Sequence, residues 1–325
     1  MRAAFHPGEQ ALQQREGVRD RLAEIGPLVI RDHMPEQHRE LFEKLPTLLL
    51  GALDAAGQPW ATMLAGPPGF VRTPDARHLR VRLAPDAADP ALRALRPGVW
   101  LGLLGLEPHT RRRNRMNGRL LDWDAAGLLV EVQQSFGNCP KYIQARRPEP
   151  RPATAARPAL ALGPALDATT RALIEASDTL FIASASAAAP GPGLDGQPEQ
   201  GVDVSHRGGE PGFVRLETAA DGGLLLSLPD YPGNRFFNTL GNLSLHPRAG
   251  LLFVDHAGGG LLQLSAEAEI LWPGQAGPTL AARWPGAQRL LRLRLREGLW
   301  RPGVLPWRWG PAEPAPQFAA LRAGG

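Results

Sequence analysis

The chain has 325 residues, of which 43% are hydrophobic and 21% charged, and a formal net charge of +4. That apolar content fills one large core or two ordinary ones and excludes disorder over the whole length. A single cysteine excludes both a disulfide framework and a cysteine-rich zinc module, and 33 prolines with 37 glycines exclude long unbroken helices.

Lys44 and Lys141 are the only lysines, so the basic charge is nearly all arginine. It is scattered, with one dense cluster at residues 111–115, and this patterning predicts no nucleic-acid partner. Residues 1–14 lack the apolar segment of a secretory signal. No stretch approaches the roughly 20 apolar residues of a membrane-spanning helix. The expectation is a soluble cytoplasmic protein with no membrane contact.

Residues 9–25 read as a helix, with Leu12, Val18, Leu22 and Ile25 near one face, interrupted by Pro27. Pro35 is placed to open a second helix over residues 36–44, which stops before Pro46. The pattern then changes to short apolar runs. Residues 47–53 and 59–64 flank the turn Asp54-Ala55-Ala56-Gly57 and read as a hairpin. Further strands are expected at 79–83, 99–106, 119–123 and 128–134, a spacing that suggests a barrel or sandwich. Residues 146–164 are rich in Pro, Ala and Arg without a period and read as a linker.

After the linker the same order returns. A short helix is expected at 170–176, a strand at 179–185, a long polar hairpin tip at 190–200 and a strand at 201–205. Pro68-Gly69-Phe70-Val71-Arg72 recurs unchanged as Pro211-Gly212-Phe213-Val214-Arg215, at the same place in both strand series. Two related β-domains in tandem follow from this, with a fused pseudo-dimer as their natural arrangement. Residues 224–228, 249–254 and 261–271 supply further strands, and the Leu-Arg alternation of residues 290–296 fits a strand with one apolar face.

Four segments carry candidate chemistry. In residues 230–242, Arg235 offers a planar cationic fork suited to phosphate, and Asn234, Asn238, Thr239 and Asn242 add neutral groups. An Asn/Gly-rich turn is the competing reading. Ser205-His206-Arg207-Gly208-Gly209 follows a strand and reads as a ligand-facing strand end or as an exposed loop. Cys139, within residues 133–143, reads as a packing or ligand-contact thiol rather than a nucleophile, since no general base accompanies it. Residues 107–118 read as an anion site or as a solvated charge run leading into a strand. Dinucleotide-binding, Walker A, nucleophile-elbow and zinc-protease motifs are missing, and the histidines show no zinc spacing.

With these residues in view, the chain resembles the pyridoxamine 5′-phosphate oxidase-related FMN-binding split-barrel family, in a long tandem-barrel form. The matching passages are residues 5–9, 59–61, 66–70, 111–118, 134–144, 203–209 and 232–242. The resemblance spans residues 5–272, and more loosely 305–309. It implies a mainly β fold, two tandem six-stranded split barrels with flanking helices forming a pseudo-dimer. The expected division is a helical segment at 1–45, a first barrel at 46–147, a linker at 148–168 and a second barrel with an extension at 169–325.

The resemblance further implies FMN at the barrel interface. Ser205, His206 and Arg207 would line the flavin, and Asn234 and Arg235 would hold the phosphate. Asn238, Thr239 and Asn242 would complete that wall, and Gln263 would meet the flavin from a strand. Ser135, Asn138 and Cys139 would come from the first barrel. Residues 84–96, the first barrel's counterpart of the phosphate segment, have lost its residues, so one flavin per chain is expected. The implied function is a flavin-dependent oxidoreductase acting on a small molecule, served by a separate reductase. The alternative is a non-catalytic flavin- or haem-binding module. No catalytic residue and no metal site is assigned, and a monomeric pseudo-dimer and a homodimer are both compatible. Arg301-Pro302-Gly303 and Trp307-Arg308-Trp309 replace the true oxidase's C-terminal substrate segment, which points away from pyridoxamine phosphate as the substrate.

Overall fold

Three helices precede the first strand in the computed structural model, which describes residues 4–152, 157–187, 201–277 and 279–323. They are α1 (Pro7–Arg15), α2 (Arg19–Val29) and α3 (Glu36–Lys44). The long first helix expected from the sequence is broken at Gly17, not at Pro27. Gly17 takes a left-handed φ of 66°, and the Val18 N–H turns back to the Gln13 carbonyl, closing α1. Pro27 lies inside α2, near its C-terminal end. The carbonyl it leaves without a donor belongs to exposed Ala23, where solvent has access to it.

The first sheet comprises β1 (Thr47–Leu53), β2 (Pro59–Ala65), β3 (Val71–Asp75) and β4 (His78–Val81), then, after α4 (Pro90–Arg93), β5 (Trp100–Glu107), β6 (Arg112–Asp124) and β7 (Gly127–Gly137). Next come β8 (Pro148–Pro150), β9 (Leu160–Leu162) and α5 (Ala168–Ala176). The second sheet holds β10 (Thr179–Ala185), β11 (Val202–Gly208), β12 (Arg215–Thr218) and β13 (Leu224–Asp230). After α6 (Asn238–Leu245) it continues with β14 (Arg248–Asp255) and β15 (Gly260–Leu271). Then α7 (Pro273–Ala276) and α8 (Thr279–Arg283) lead to β16 (Arg289–Arg301), β17 (Trp307–Trp309) and α9 (Pro316–Ala323). The hairpin tip expected at 190–200 lies outside the described residues.

The strand orders are β2-β1-β5-β6-β7-β4-β3 and β11-β10-β14-β15-β16-β13-β12. They are the same order, all antiparallel, so the internal repeat read from one pentapeptide extends to the whole topology. The fold is mainly β, two split barrels in tandem. Each path carries seven strands rather than the expected six, because the short edge strands β3 and β12 pair with β4 and β13. One irregularity repeats as well: bulges fall between Asn117 and Gly118 and between Ser265 and Ala266, at matching places in β6 and β15, while a second shift at Leu120/Asp122 occurs in β6 alone.

The proline-rich stretch read as a linker contributes two short strands. β8 pairs with β17, and β9 adds to the edge of β16. Proline occupies both ends of β8, where a missing N–H is tolerated at an edge.

Each barrel closes on its own core. Phe70 and Val71 of the repeated pentapeptide pack in the first, and Phe213 and Val214 in the second. In β16, Leu291, Leu293 and Leu295 enter the second core, while Arg292, Arg294 and Arg296 pair outside with Glu269, Asp221 and Glu267. A third core, including Leu49, Leu104, Phe181, Val204 and Leu252, lies between the barrels and joins them as a pseudo-dimer.

Two glycines set how closely the barrels approach. A Cβ on Gly102 would lie 2.7 Å from the backbone of Asp203, and one on Gly250 would lie 2.3 Å from the Pro59 carbonyl oxygen. Gly102 and Gly250 occupy the same register position in β5 and β14. The interface is thus built twice from one device. Among the described residues no helix is long and apolar enough to cross a membrane.

Candidate functional site

The seam between the barrels opens into a cleft. One wall comes from β6 and the turn after β7. The other comes from the end of β11 and the segment joining β13 to α6.

Strand alternation explains the first wall. In β6, Met116 points into the first barrel's core, so Arg113 and Arg115 point the other way, toward the second barrel. Arg115 is buried. Its Nη1 donates to Asp203 Oδ1 at 2.8 Å, and its Nη2 donates to the Ser205 hydroxyl. Asp203 also accepts from Asn117 at 2.6 Å and from Asn242 at 3.0 Å. Arg113 donates from Nε to the Cys139 carbonyl and from Nη1 to His206 Nδ1, both at 2.9 Å. Burial brings Arg113 down to about 10, which leaves it cationic at neutral pH.

His206 is held uncharged. Burial pushes its pKa well below the usual range, and Arg113, Arg207 and Arg146 act in the same direction. Because Arg113 donates to Nδ1, the single ring proton resides on Nε2. Arg207 is anchored by Asp230, which Arg289 also approaches.

Both walls carry unusual backbone. Arg111, Tyr142, Arg235 and Phe237 are the described non-glycine residues with left-handed φ, and the last three line the cleft. Such conformations cost on the order of 1–2 kcal/mol and persist where surrounding structure imposes them. Asn234 Oδ1 accepts from the Phe236 N–H and shapes the turn. Phe236 then anchors it by packing on Phe5 and Phe136. The N-cap of α6, Phe237, supplies no side-chain bond, so the helix presents free N–H groups beside the cleft. At the rim Tyr142 stacks on Tyr231, and Phe318 of α9 packs on both.

Nine of the twelve residues assigned from the sequence meet here: Ser205, His206, Arg207, Asn234, Arg235, Asn238, Thr239, Asn138 and Cys139. Three lie elsewhere. Asn242 sits behind the wall and donates to Ser184 and Asp203. Gln263 faces the first barrel, donating to the Ala61 carbonyl and to Asp89. Ser135 is fully buried on another face, 3.0 Å from His38 Nδ1. The sequence reading missed Arg113, Arg115 and Lys141 as lining residues. The signal for the first two was the alternation in Arg112-Arg113-Asn114-Arg115-Met116, hidden by its resemblance to a solvated charge run.

The His38 contact has its own consequence. Burial, with Arg31 and Arg112 nearby, lowers His38 to about 4. The native state therefore binds fewer protons than the unfolded one. Its contribution is complete above the unfolded value of 6.5 and is lost as pH falls toward 4. Between pH 7 and pH 5 the stability gap between wild type and His38→Gln is expected to narrow by about 2 kcal/mol, read by urea denaturation at both values. An unchanged gap would refute the titration of His38.

The charge balance of the cleft is uneven. Arg113, Arg115, Arg207, Arg235 and Lys141 line it, against the single carboxylate of Asp230. Buried Arg115 Nε, Arg207 Nε and Asn138 Nδ2 have no hydrogen-bond partner. Buried donors are rarely left so, and cationic donors are matched by an anionic, oxygen-rich ligand. Among the described residues no group of three His, Cys, Asp or Glu gathers as a metal site.

No family model and no curated relative matches the chain. Solved structures to which it is similar include a FAD-binding protein from Mesorhizobium loti, at 18% identity over 44% of this chain and 97% of that one, with a TM-score of 0.25. A proposed pyridoxamine 5′-phosphate oxidase from Lactobacillus delbrueckii is 17% identical over 33% of this chain and 98% of that one, with a TM-score of 0.27. The heme storage protein HutZ from Vibrio cholerae is 13% identical over 42% of this chain and 93% of that one, with a TM-score of 0.26.

Proposed function

We propose that the cleft binds FMN and that the protein is a flavin-dependent oxidoreductase, related to the pyridoxamine 5′-phosphate oxidases and acting on a small molecule. The observation that carries this reading is the set of buried donor atoms without a partner, Arg115 Nε, Arg207 Nε and Asn138 Nδ2, in an arginine-lined cleft beside the uncapped start of α6. That donor set fits a phosphate monoester. The sequence resemblance to FMN-binding split barrels supplies the rest of the ligand.

Bound FMN would supply hydride or electron transfer. The residues of the chain bind, orient and polarise. Arg235, Asn234, Asn238 and Thr239 are the proposed phosphate wall. Arg207, fixed by Asp230, places positive charge in the cleft and favours an anionic ligand form. His206 is a neutral donor through Nε2, with its ring held by Arg113. A separate reductase is the proposed source of electrons.

Titration with FMN and riboflavin tests the phosphate assignment. FMN is expected to bind the wild type about 10–100-fold more tightly, from charged hydrogen bonds of about 1.5–3 kcal/mol. Arg235→Ala is expected to lose about tenfold for FMN and nothing for riboflavin. Equal affinities for the two ligands would remove the assignment.

Haem binding is the second reading, favoured by the cleft's cations, which suit propionate-type carboxylates.

A further inference from the structure

We propose that the seam between the barrels holds a second anion site, built to the plan of the cleft with the two barrels' roles exchanged and kept shut by Asp86 and Asp89 of the first barrel. The proposal rests on reading the cleft as an anion site.

The matched registers fix the correspondence. With Gly102 on Gly250, β5 and β6 superpose on β14 and β15 without a gap, and the segment before them follows. Asp89 and Phe237 are then both helix N-caps, and Asp86 falls on Asn234. Thr62 falls on Ser205 and Gln263 on Arg115. Arg301, at the end of β16, falls on Asn138, just past the end of β7.

The carboxylate of Asp89 is 1% exposed and fully engaged. Its Oδ1 accepts from the Ala91 N–H at 2.9 Å and from Gln263 Nε2 at 3.1 Å. Its Oδ2 accepts from Arg301 Nη1 at 2.6 Å and from the Thr62 hydroxyl. Arg301 Nη2 donates to Asp86. Hydroxyl, strand side chain and strand-end side chain thus converge on a carboxylate from the places that Ser205, Arg115 and Asn138 occupy in the cleft. In the cleft, Arg115 Nε and Asn138 Nδ2 have no partner.

The charges are inverted between the two. Leu261, Gln263, Leu64 and Ala87 stand where the cleft has Arg113, Arg115, Arg207 and Arg235. Asp86 and Asp89 stand where it has Asn234 and Phe237. The shut site therefore carries its own anion, and the open one lacks it. On this reading one ligand rather than two is expected per chain. The ligand class of the shut site is a small oxyanion, carboxylate-sized once Asp89 is shortened.

Asp89→Gly vacates the seat, and Asp89→Ser does so while keeping an N-cap side chain, should the glycine variant fail to fold. Thermal denaturation is followed against formate, with chloride at equal ionic strength as the control. The expected result is a saturable rise in Tm of several degrees with formate in the variant, beyond any rise in wild type. Adding Arg301→Met is expected to abolish the extra rise. A variant that folds but responds to formate no more than wild type overturns the proposal, as does a response that survives Arg301→Met. Equilibrium dialysis of wild type with inorganic phosphate reports on the cleft separately, so failure of the cleft reading and failure of this one are distinguishable.

Discussion

Replacing Arg115 with methionine is expected to destabilise the protein by about 3–5 kcal/mol, the usual consequence of stranding one member of a buried ion pair. Arg115 and Asp203 are both largely removed from water, 3% and 7% exposed. Without the guanidinium, Asp203 keeps only the amides of Asn117 and Asn242. The Ser205 hydroxyl loses a partner as well. Asp203→Asn in the same chain removes the stranded charge and is expected to recover a substantial part of the loss. Anion binding in the cleft is expected to stay weak in the double variant, because the donor is still missing. Urea denaturation reads the first effect and phosphate or FMN titration the second. A loss below about 1 kcal/mol for Arg115→Met would place the pair among surface-like ion pairs and contradict the burial argument.

The second large effect is expected from Gly250→Val. Even the Cβ has no room: it would lie 2.3 Å from the Pro59 carbonyl oxygen and 2.7 Å from the Trp60 Cα. Both are backbone atoms of β2, so relief requires moving a strand of the other barrel. Overpacking of this kind costs about 1–3 kcal/mol or more. Here it also separates the two barrels, and the cleft has one wall on each. Ligand affinity and stability should therefore fall together. Gly274→Ala, where a Cβ meets nothing within 4 Å, is the control and is expected to change neither. A Gly250→Val chain with wild-type stability and binding would mean that the interface is not set by this contact.

Much of this architecture is legible in the residues. The paired pentapeptides, the Asp54-Ala55-Ala56-Gly57 turn and the Leu-Arg alternation each act through local geometry, which sequence carries directly. The cleft was legible where its residues sit in turns, as with Asn234, Arg235 and Asn138. It was hidden where function depends on which face of a strand meets which barrel. Arg113 and Arg115 look like a solvated charge run until Met116 is placed in the first core. Gln263 looks like a cleft residue until the register turns it toward Asp89. The break at Gly17 was obscured by Pro27, whose missing bond falls at an exposed carbonyl. The shut site was invisible because Asp86, Asp89 and Arg301 come together only through the pairing of distant strands.

The visible absorption spectrum of the purified chain, loaded with FMN and then desalted, is the decisive measurement of flavin binding. A retained flavin spectrum at one FMN per chain is expected, weakened by removing the cleft's arginines. A desalted chain without flavin, or one that instead holds haem with its Soret band, would contradict flavin binding.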